Sequence, residues 1–111
     1  MTPKVAPLRV VIVHWNQPAD CLRTVERFGD REVPVRVTVV DNASDVGALD
    51  ELRSGLDAMR PGWATGPAGL ELIEHGTNAG FGPGANVGLR RFLADPDDGE
   101  WVALAPHDVD P

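Results

Sequence analysis

The sequence predicts an α/β domain: a mainly parallel sheet of about four strands with flanking helices. Short apolar, β-branched runs such as LRVVIV at Leu8–Val13 recur along the chain, which is typical of strands buried on both faces of a parallel sheet. Segments with helical spacing of apolar residues alternate with these runs, as in βαβ units. Polar clusters follow the strands, and open α/β sheets bind ligands outside the carboxyl ends of their strands.

The first strand is followed by a polar loop and a helix. Asn16 is predicted to cap this helix, Pro18 is tolerated in its first turn, and Gly29 ends it. Cys21 falls within the helix, where a small buried apolar residue is a better interpretation than a nucleophile.

The same unit then repeats. A second strand is predicted at Val35–Val40, and Ser44 or Asp45 caps the next helix. The stretch Pro61–Gly69 is rich in turn residues and is predicted to be an exposed excursion. Within it, Trp63 is interpreted as a local packing anchor rather than a platform for a ligand.

The last third of the chain supplies the remaining elements. A short third strand is predicted at Leu70–Glu74, followed by a glycine-rich loop and a helix from about Gly84 to Ala94. A fourth strand is predicted at Trp101–Ala105. The alternation indicates right-handed crossovers, and the length of 111 residues indicates a single small domain.

Composition excludes several classes of function. The 111 residues carry a formal net charge of -7, which argues against nucleic acid or an anionic membrane as the main partner. One cysteine excludes an internal disulfide and a thiolate metal cluster. No apolar run approaches the ~20 residues of a membrane span, and the N-terminus lacks the features of a signal peptide. A cytoplasmic protein is therefore expected.

Three polar clusters follow predicted strands, at 14–17, 41–45 and 107–110, and a glycine-rich loop follows the third strand. Because the carboxyl ends of parallel strands share one edge, these segments are predicted to form one composite site. Taken alone, Asp41 has two interpretations of equal weight. It shapes a turn or caps the next helix, or it accepts hydrogen bonds from a nucleobase N–H or a ribose hydroxyl.

The glycines of the loop do not match a known phosphate-binding fingerprint. Gly80, Gly82 and Gly84 resemble a dinucleotide fingerprint, but that motif belongs on the first βα turn. A dinucleotide-dependent oxidoreductase is therefore disfavoured. The simpler alternative is a turn with positive φ angles, in which Asn86 would only begin a helix.

Asp108 and Asp110 form an Asp-Val-Asp sequence after the fourth strand. Two such carboxylates can hold a hard divalent cation while substrate phosphates complete its coordination shell, and the metal would neutralise a leaving diphosphate. The alternative is a solvated acidic turn. His107 is interpreted as a neighbour of this site rather than a metal ligand.

Four motifs occur in order: VVIVHWN at 10–16, VVDNAS at 39–44, NAGFGPGANVGLR at 78–90 and a strand followed by HDVD ending at 110. Together they resemble the N-terminal half of family 2 glycosyltransferases, particularly the rhamnosyltransferase-like branch, over nearly the whole chain. The resemblance implies a GT-A fold and transfer of a sugar, with inversion, from a nucleoside diphosphate donor.

The resemblance also implies roles for individual residues. Asp41 would contact the base, Asn42 would support its loop, and Asp108 would bind Mg²⁺ or Mn²⁺ as the acid of the DxD element. Relatives usually read Leu-Asn-Pro-Asp or Asp-x-Asp here, so Asp110 is either a second ligand or a bystander. The predicted nucleotide-binding residues are His14, Trp15, Asn16, Asp41, Asn42, Gly80, Phe81, Gly82, Gly84 and Asn86.

The implied donor is a UDP- or dTDP-sugar, and the implied acceptor of the full enzyme is a saccharide or a lipid-linked acceptor. A GT-A domain needs roughly twice this length, so residues 1–111 are expected to be its nucleotide-sugar-binding part, without the acceptor half and the general base. The full-length enzyme is expected in the cytoplasm or peripheral to the membrane, in cell wall polysaccharide biosynthesis. The alternative is a non-catalytic nucleotide-binding module or a homodimer paired through an exposed sheet edge.

Overall fold

The computed structural model describes residues 7–30, 33–78, 80–94 and 101–107. Strands and helices alternate along the chain in the predicted order. The elements are β1 (Leu8–His14), α1 (Pro18–Gly29), β2 (Val35–Asp41), α2 (Val46–Met59), β3 (Leu70–Glu74), α3 (Phe81–Ala94) and β4 (Val102–Pro106).

The four strands form one parallel sheet in the order β3-β2-β1-β4. β1 lies between β2 and β4, so that Val10 is level with Val37 on one side and with Ala103 on the other. The carboxyl ends of β1 and β2 are also level, because His14 pairs with Asp41. The predicted α/β class with a mainly parallel sheet is confirmed.

Alternate residues of the strands face α1 and α2 and form the main hydrophobic core. Val10 and Ile12 of β1 lie at its centre, fully buried. Cys21 is buried in the same cluster, and burial raises the pKa of its thiol to about 12, in agreement with the predicted inert role. The buried members of the core are Val10, Ile12, Cys21, Val25, Val35, Val37, Val39, Leu52, Leu56, Leu70 and Ala105.

The opposite face of the sheet is covered by α3. A Cβ atom on Gly88 would overlap the Cγ1 atom of Val11, so the helix can approach β1 closely because this position has no side chain. Farther along this face, Arg9 is buried and donates to the hydroxyl of Thr38 at 2.6 Å. Glu71 accepts from Arg91 of α3 at 3.1 Å, so a polar cluster also links the sheet to the helix.

The predicted excursion at 61–69 packs back on the sheet through its tryptophan. The indole Nε1 of Trp63 donates to the carbonyl of Val35 at 3.0 Å, and the hydroxyl of Thr65 donates to the same carbonyl at 3.0 Å. The Trp63 ring also packs against the core beneath α1. Its predicted role as a packing anchor is confirmed.

Two helix boundaries differ from the prediction. α1 is preceded by Gln17 rather than Asn16 at the cap position, and neither this residue nor Asp45 before α2 makes a side-chain capping bond. Asn16 has a φ of +50° and bonds to the second loop instead. α3 begins at Phe81 rather than near Gly84. Pro83 therefore lies in the first turn of the helix, where proline is tolerated.

None of the helices in the described part of the chain is long and apolar enough to cross a membrane.

Candidate functional site

A cleft of about 170 Å³ lies at the carboxyl ends of β1, β2 and β4, beside the start of α3. This is the sheet edge at which the sequence predicts a composite site. Its walls come from the loops that follow β1, β2 and β3 and from the end of β4. The lining residues are Val13, His14, Trp15, Asn42, Asn78, Gly80, Phe81, Pro106 and His107.

Two aromatic side chains give the cleft its apolar surface. Trp15 follows β1 and is 49% exposed, and Phe81 begins α3 and is 47% exposed. Large aromatic side chains are normally buried because they carry a large apolar area. Their shared position on one cleft makes them available to stack on a flat ligand.

Behind this surface, His14 and Asp41 form a buried pair that joins the ends of β1 and β2. The His14 Nε2 atom accepts the Gln17 backbone N–H at 3.0 Å, so Nδ1 carries the proton and donates it to Asp41 Oδ1 at 2.8 Å. Burial lowers the pKa of His14, against the opposing effect of Asp41. The imidazole is therefore a neutral bridge between the two strands.

The second loop closes on the same carboxylate. The hydroxyl of Ser44 donates to Asp41 Oδ1 at 2.5 Å, and its backbone N–H donates to Oδ2 at 3.1 Å. Ser44 Oγ in turn accepts the N–H of Asn16 at 2.9 Å, while Asn16 Oδ1 accepts the N–H of Asp45 at 2.7 Å. Five residues, which we call the strand-end ring, thus tie the first loop to the second: His14, Asn16, Asp41, Ser44 and Asp45.

Asn42 connects this ring to the third side of the cleft. Its backbone N–H donates to the His14 carbonyl at 2.8 Å, and its side-chain amide donates to the Gly80 carbonyl at 3.0 Å. A Cβ atom on Gly84 would lie 2.8 Å from Asn42 Oδ1, so this helical position needs glycine for the close approach of Asn42. Gly80 itself has a φ of +99°, a conformation that glycine adopts without strain.

His107 closes the cleft at the end of β4. Its ring meets that of His14 edge to face, with centroids 5.7 Å apart and an interplanar angle of 66°. Its carbonyl accepts from the hydroxyl of Thr24 at 2.8 Å, and its Nδ1 atom accepts weakly from the Trp15 N–H at 3.4 Å. His107 therefore lines the cleft. Its interpretation as a neighbour of a metal site, rather than a metal ligand, stays a prediction.

The structure therefore brings five of the predicted nucleotide-binding residues onto the cleft: His14, Trp15, Asn42, Gly80 and Phe81. Two others, Asn16 and Asp41, lie in the strand-end ring behind it. Gly82, Gly84 and Asn86 belong to α3, where Gly84 is buried and the other two are exposed.

Three lining residues, Val13, Asn78 and Pro106, were not among the predicted site residues. Asn78 is the first residue of the motif NAGFG, and its position in that motif is the signal that could have identified it. Pro106 is the last residue of β4, and the end of the predicted strand is the only signal that would place it at the cleft.

The predicted metal ligands Asp108 and Asp110 lie outside the described residues. Within the described ranges, no group of three or more histidine, cysteine or acidic side chains could hold a metal ion. A metal at this edge would therefore need ligands from the segment after His107 or from a bound substrate.

The four parallel strands and the flanking helices form a Rossmann-like α/β fold, of a kind found in glycosyltransferases. A solved structure with this fold is the mannosyltransferase PcManGT from Pyrobaculum calidifontis, in complex with GDP-Man and Mn²⁺. It matches with a TM-score of 0.72 and 23% sequence identity over 91% of this chain. The present chain spans only 27% of the mannosyltransferase's length.

No family model matches the sequence, and no curated protein matches it.

Proposed function

We propose that this chain is the donor-binding part of an inverting glycosyltransferase and holds a nucleoside diphosphate sugar in the strand-end cleft. The observation that carries the proposal is a cleft at the carboxyl edge of a parallel sheet, lined by exposed aromatic residues and a backbone bend at Gly80. The fold shared with a mannosyltransferase solved with GDP-Man and Mn²⁺ supports the proposal. The motifs favour family 2 and its rhamnosyltransferase-like branch.

The base would bind between the first loop and the start of α3. Trp15 and Phe81 offer half-exposed rings, and stacking of one base on an aromatic side chain contributes about 1–3 kcal/mol. The carbonyl of Gly80 is held by Asn42, which fixes the shape of this wall before a ligand arrives. The sequence motifs favour UDP or dTDP as the nucleotide, whereas the mannosyltransferase was solved with a guanosine nucleotide.

A divalent cation would coordinate the diphosphate of the donor. The ligand would be Asp108, with Asp110 as a second ligand or a bystander. Asp108 follows His107 directly in the sequence, and Asp110 is the third residue after it. Carboxylate oxygens suit Mg²⁺ and Mn²⁺, and two carboxylates leave coordination positions that diphosphate oxygens can fill. When bound, the metal would supply charge neutralisation at the leaving diphosphate.

We infer a saccharide or lipid-linked acceptor, a role in cell wall polysaccharide synthesis, and a cytoplasmic or membrane-peripheral location. No residue of this chain is assigned as the base that deprotonates the acceptor hydroxyl.

Calorimetric titration of UDP, dTDP and GDP, each with and without Mn²⁺, tests the proposal. We expect at least one nucleotide to bind, with an affinity that Mn²⁺ raises by about tenfold or more. Asp108→Asn should remove most of the Mn²⁺ effect, while Asp50→Asn, an exposed charge change on α2, should not. Absence of binding by the folded chain for all three nucleotides would refute the proposed function.

A non-catalytic module that pairs with a second copy is the other candidate. β4 lies at an edge of the described four-stranded sheet, and Leu104 on it and Trp101 just before it are 44% and 77% exposed. Edge strands with exposed apolar residues favour pairing with another chain. Light scattering would decide: a dimer mass that Leu104→Lys reduces to a monomer supports this candidate, and a monomeric wild-type chain excludes it.

A further inference from the structure

We propose that Asp41 does not read the nucleobase: it is a positioning residue that, through the strand-end ring, holds Trp15 at the cleft. This inference rests on the proposed function, and it assigns to Asp41 a role different from the base contact that the sequence motifs imply. The base would then be held mainly by stacking, and its hydrogen-bonding edge would meet groups other than this carboxylate.

The acceptor capacity of Asp41 is largely used inside the protein. A carboxylate has about four acceptor positions. His14 and the Ser44 hydroxyl bond to Oδ1 at 2.8 and 2.5 Å, and the Ser44 N–H bonds to Oδ2 at 3.1 Å. The residue is only 1% exposed, so a ligand in the cleft cannot reach it without opening these bonds.

His14 closes the approach to Asp41 from the cleft side. It lines the cleft, whereas Asp41 does not. Both of its ring nitrogens are engaged, one with Asp41 and the other with the Gln17 N–H at the start of α1. The imidazole therefore couples the position of the Asp41 carboxylate to the start of α1 and to the loop that follows β1.

The strand-end ring holds both of the residues that flank Trp15 in the sequence. The preceding residue, His14, is held by Asp41, and the following residue, Asn16, is held through its N–H by Ser44 and through its Oδ1 by the Asp45 N–H. Asn16 has a positive φ of +50°, a conformation that costs free energy in a non-glycine residue and needs such support. A pre-positioned Trp15 binds a base without the cost of ordering a loop.

The two roles of Asp41 predict different base selectivity. A carboxylate that reads the base accepts the N3–H of uracil and repels N3 of cytosine, which is itself an acceptor. Asp41→Asn would then change the ratio of the UDP and CDP dissociation constants. A positioning carboxylate acts on every base alike, because stacking is tolerant of base identity.

The experiment measures UDP and CDP affinities for the full chain and three variants in Mn²⁺. Asp41→Asn and Ser44→Ala should each weaken both nucleotides by about tenfold, the effect of one lost hydrogen bond to a charged group. In both variants the ratio of the UDP and CDP dissociation constants should stay within about twofold of the wild-type ratio. Asp50→Asn, the matched charge control, should bind both nucleotides as the wild type does. A change of ratio of about tenfold in Asp41→Asn would overturn the inference.

A second measurement separates failure of this inference from failure of the proposed function. In nitrogen-15 spectra without nucleotide, His14 should show a protonated Nδ1 and an unprotonated Nε2. Ser44→Ala, the variant that keeps the carboxylate, should shift the indole resonance of Trp15 and leave that of Trp63, which bonds to Val35, unchanged. An unshifted Trp15 resonance would overturn the positioning role even if nucleotides bind. If the wild type binds neither nucleotide, the proposed function fails and the spectra alone decide whether the ring positions Trp15.

Discussion

At the scale of single residues, burial decides which groups at the strand ends can meet a ligand. His14, Asp41 and Asn42 are at most 2% exposed, and each bonds to another loop. Trp15 and Phe81 are about half exposed on the same edge. The polar groups therefore shape the cleft, and the aromatic rings supply the surface that a ligand would contact.

The buried neutral histidine predicts a pH dependence of stability. Burial lowers the pKa of His14 below its unfolded value of 6.5, although Asp41 opposes this shift and His107 adds to it. Between the two pKa values the unfolded chain binds more protons, so the contribution of His14 to the unfolding free energy is present above pH 6.5. It decreases as the pH falls toward the folded-state pKa, by at most about 1.4 kcal/mol per pH unit.

Urea denaturation at pH 7.5, 6.5 and 5.5 measures this contribution. The unfolding free energy of His14→Gln should fall less steeply below pH 6.5 than that of the wild type, because glutamine does not titrate. Parallel slopes for the two proteins would contradict the assignment of His14 as the neutral bridge.

At the scale of elements, close approach of α3 to the sheet sets the depth of the cleft. Gly84 lies against Asn42 and Val13, and Gly88 lies against Val11. Both glycines are buried on one face of the helix, one turn apart. The position of Phe81 at the start of α3, and hence one wall of the cleft, depends on this packing.

Gly88→Ala should therefore destabilise the fold, although alanine favours helices more than glycine does. The added Cβ would overlap the stiff, fully buried side chain of Val11, and such overpacking costs about 1–3 kcal/mol. Gly47→Ala on α2 is the matched control, since its Cβ would meet nothing within 4 Å. This control should be stabilised by up to about 1 kcal/mol. Equal thermal stability of the two variants would show that α3 does not pack as described.

The strands and helices themselves were predictable because their signal is local. β-branched runs and helical spacing identified every element within a few residues. The start of α3 was not predictable, because Phe-Gly-Pro-Gly reads as a turn and only the packing of Gly84 shows why a helix fits. The cap assigned to Asn16 failed for a similar reason, since its side chain bonds to Asp45, 29 residues away.

The position of the candidate site at the carboxyl ends of the strands was predictable, but the contacts within the site were not. Strand-end clusters indicated which loops would meet, and the structure brings them together around one cleft. Whether Asp41 faces a ligand or the protein depends on His14, 27 residues earlier in the chain. No local pattern carries that information, because the two side chains meet only through the register of β1 and β2.

At the scale of the whole molecule, the chain combines a glycosyltransferase fold with a small set of exposed groups on one edge. It matches 91% of its own length to a mannosyltransferase but only 27% of that protein's length. The cleft lies at the carboxyl ends of the strands, in a chain with a formal net charge of -7. If the proposed anionic donor binds there, a divalent cation would offset the repulsion between donor and protein.

Amide chemical-shift mapping tests most directly whether a nucleotide binds in the strand-end cleft, as we propose. On titration with the tightest-binding nucleotide and Mn²⁺, the largest shifts should fall on Trp15, Asn42, Gly80 and Phe81, with the Trp15 indole among them. The amides of α2 around Gly47 and the Trp63 indole should stay unchanged. Shifts centred on the β4 edge or on α2, with the cleft residues unmoved, would contradict the account.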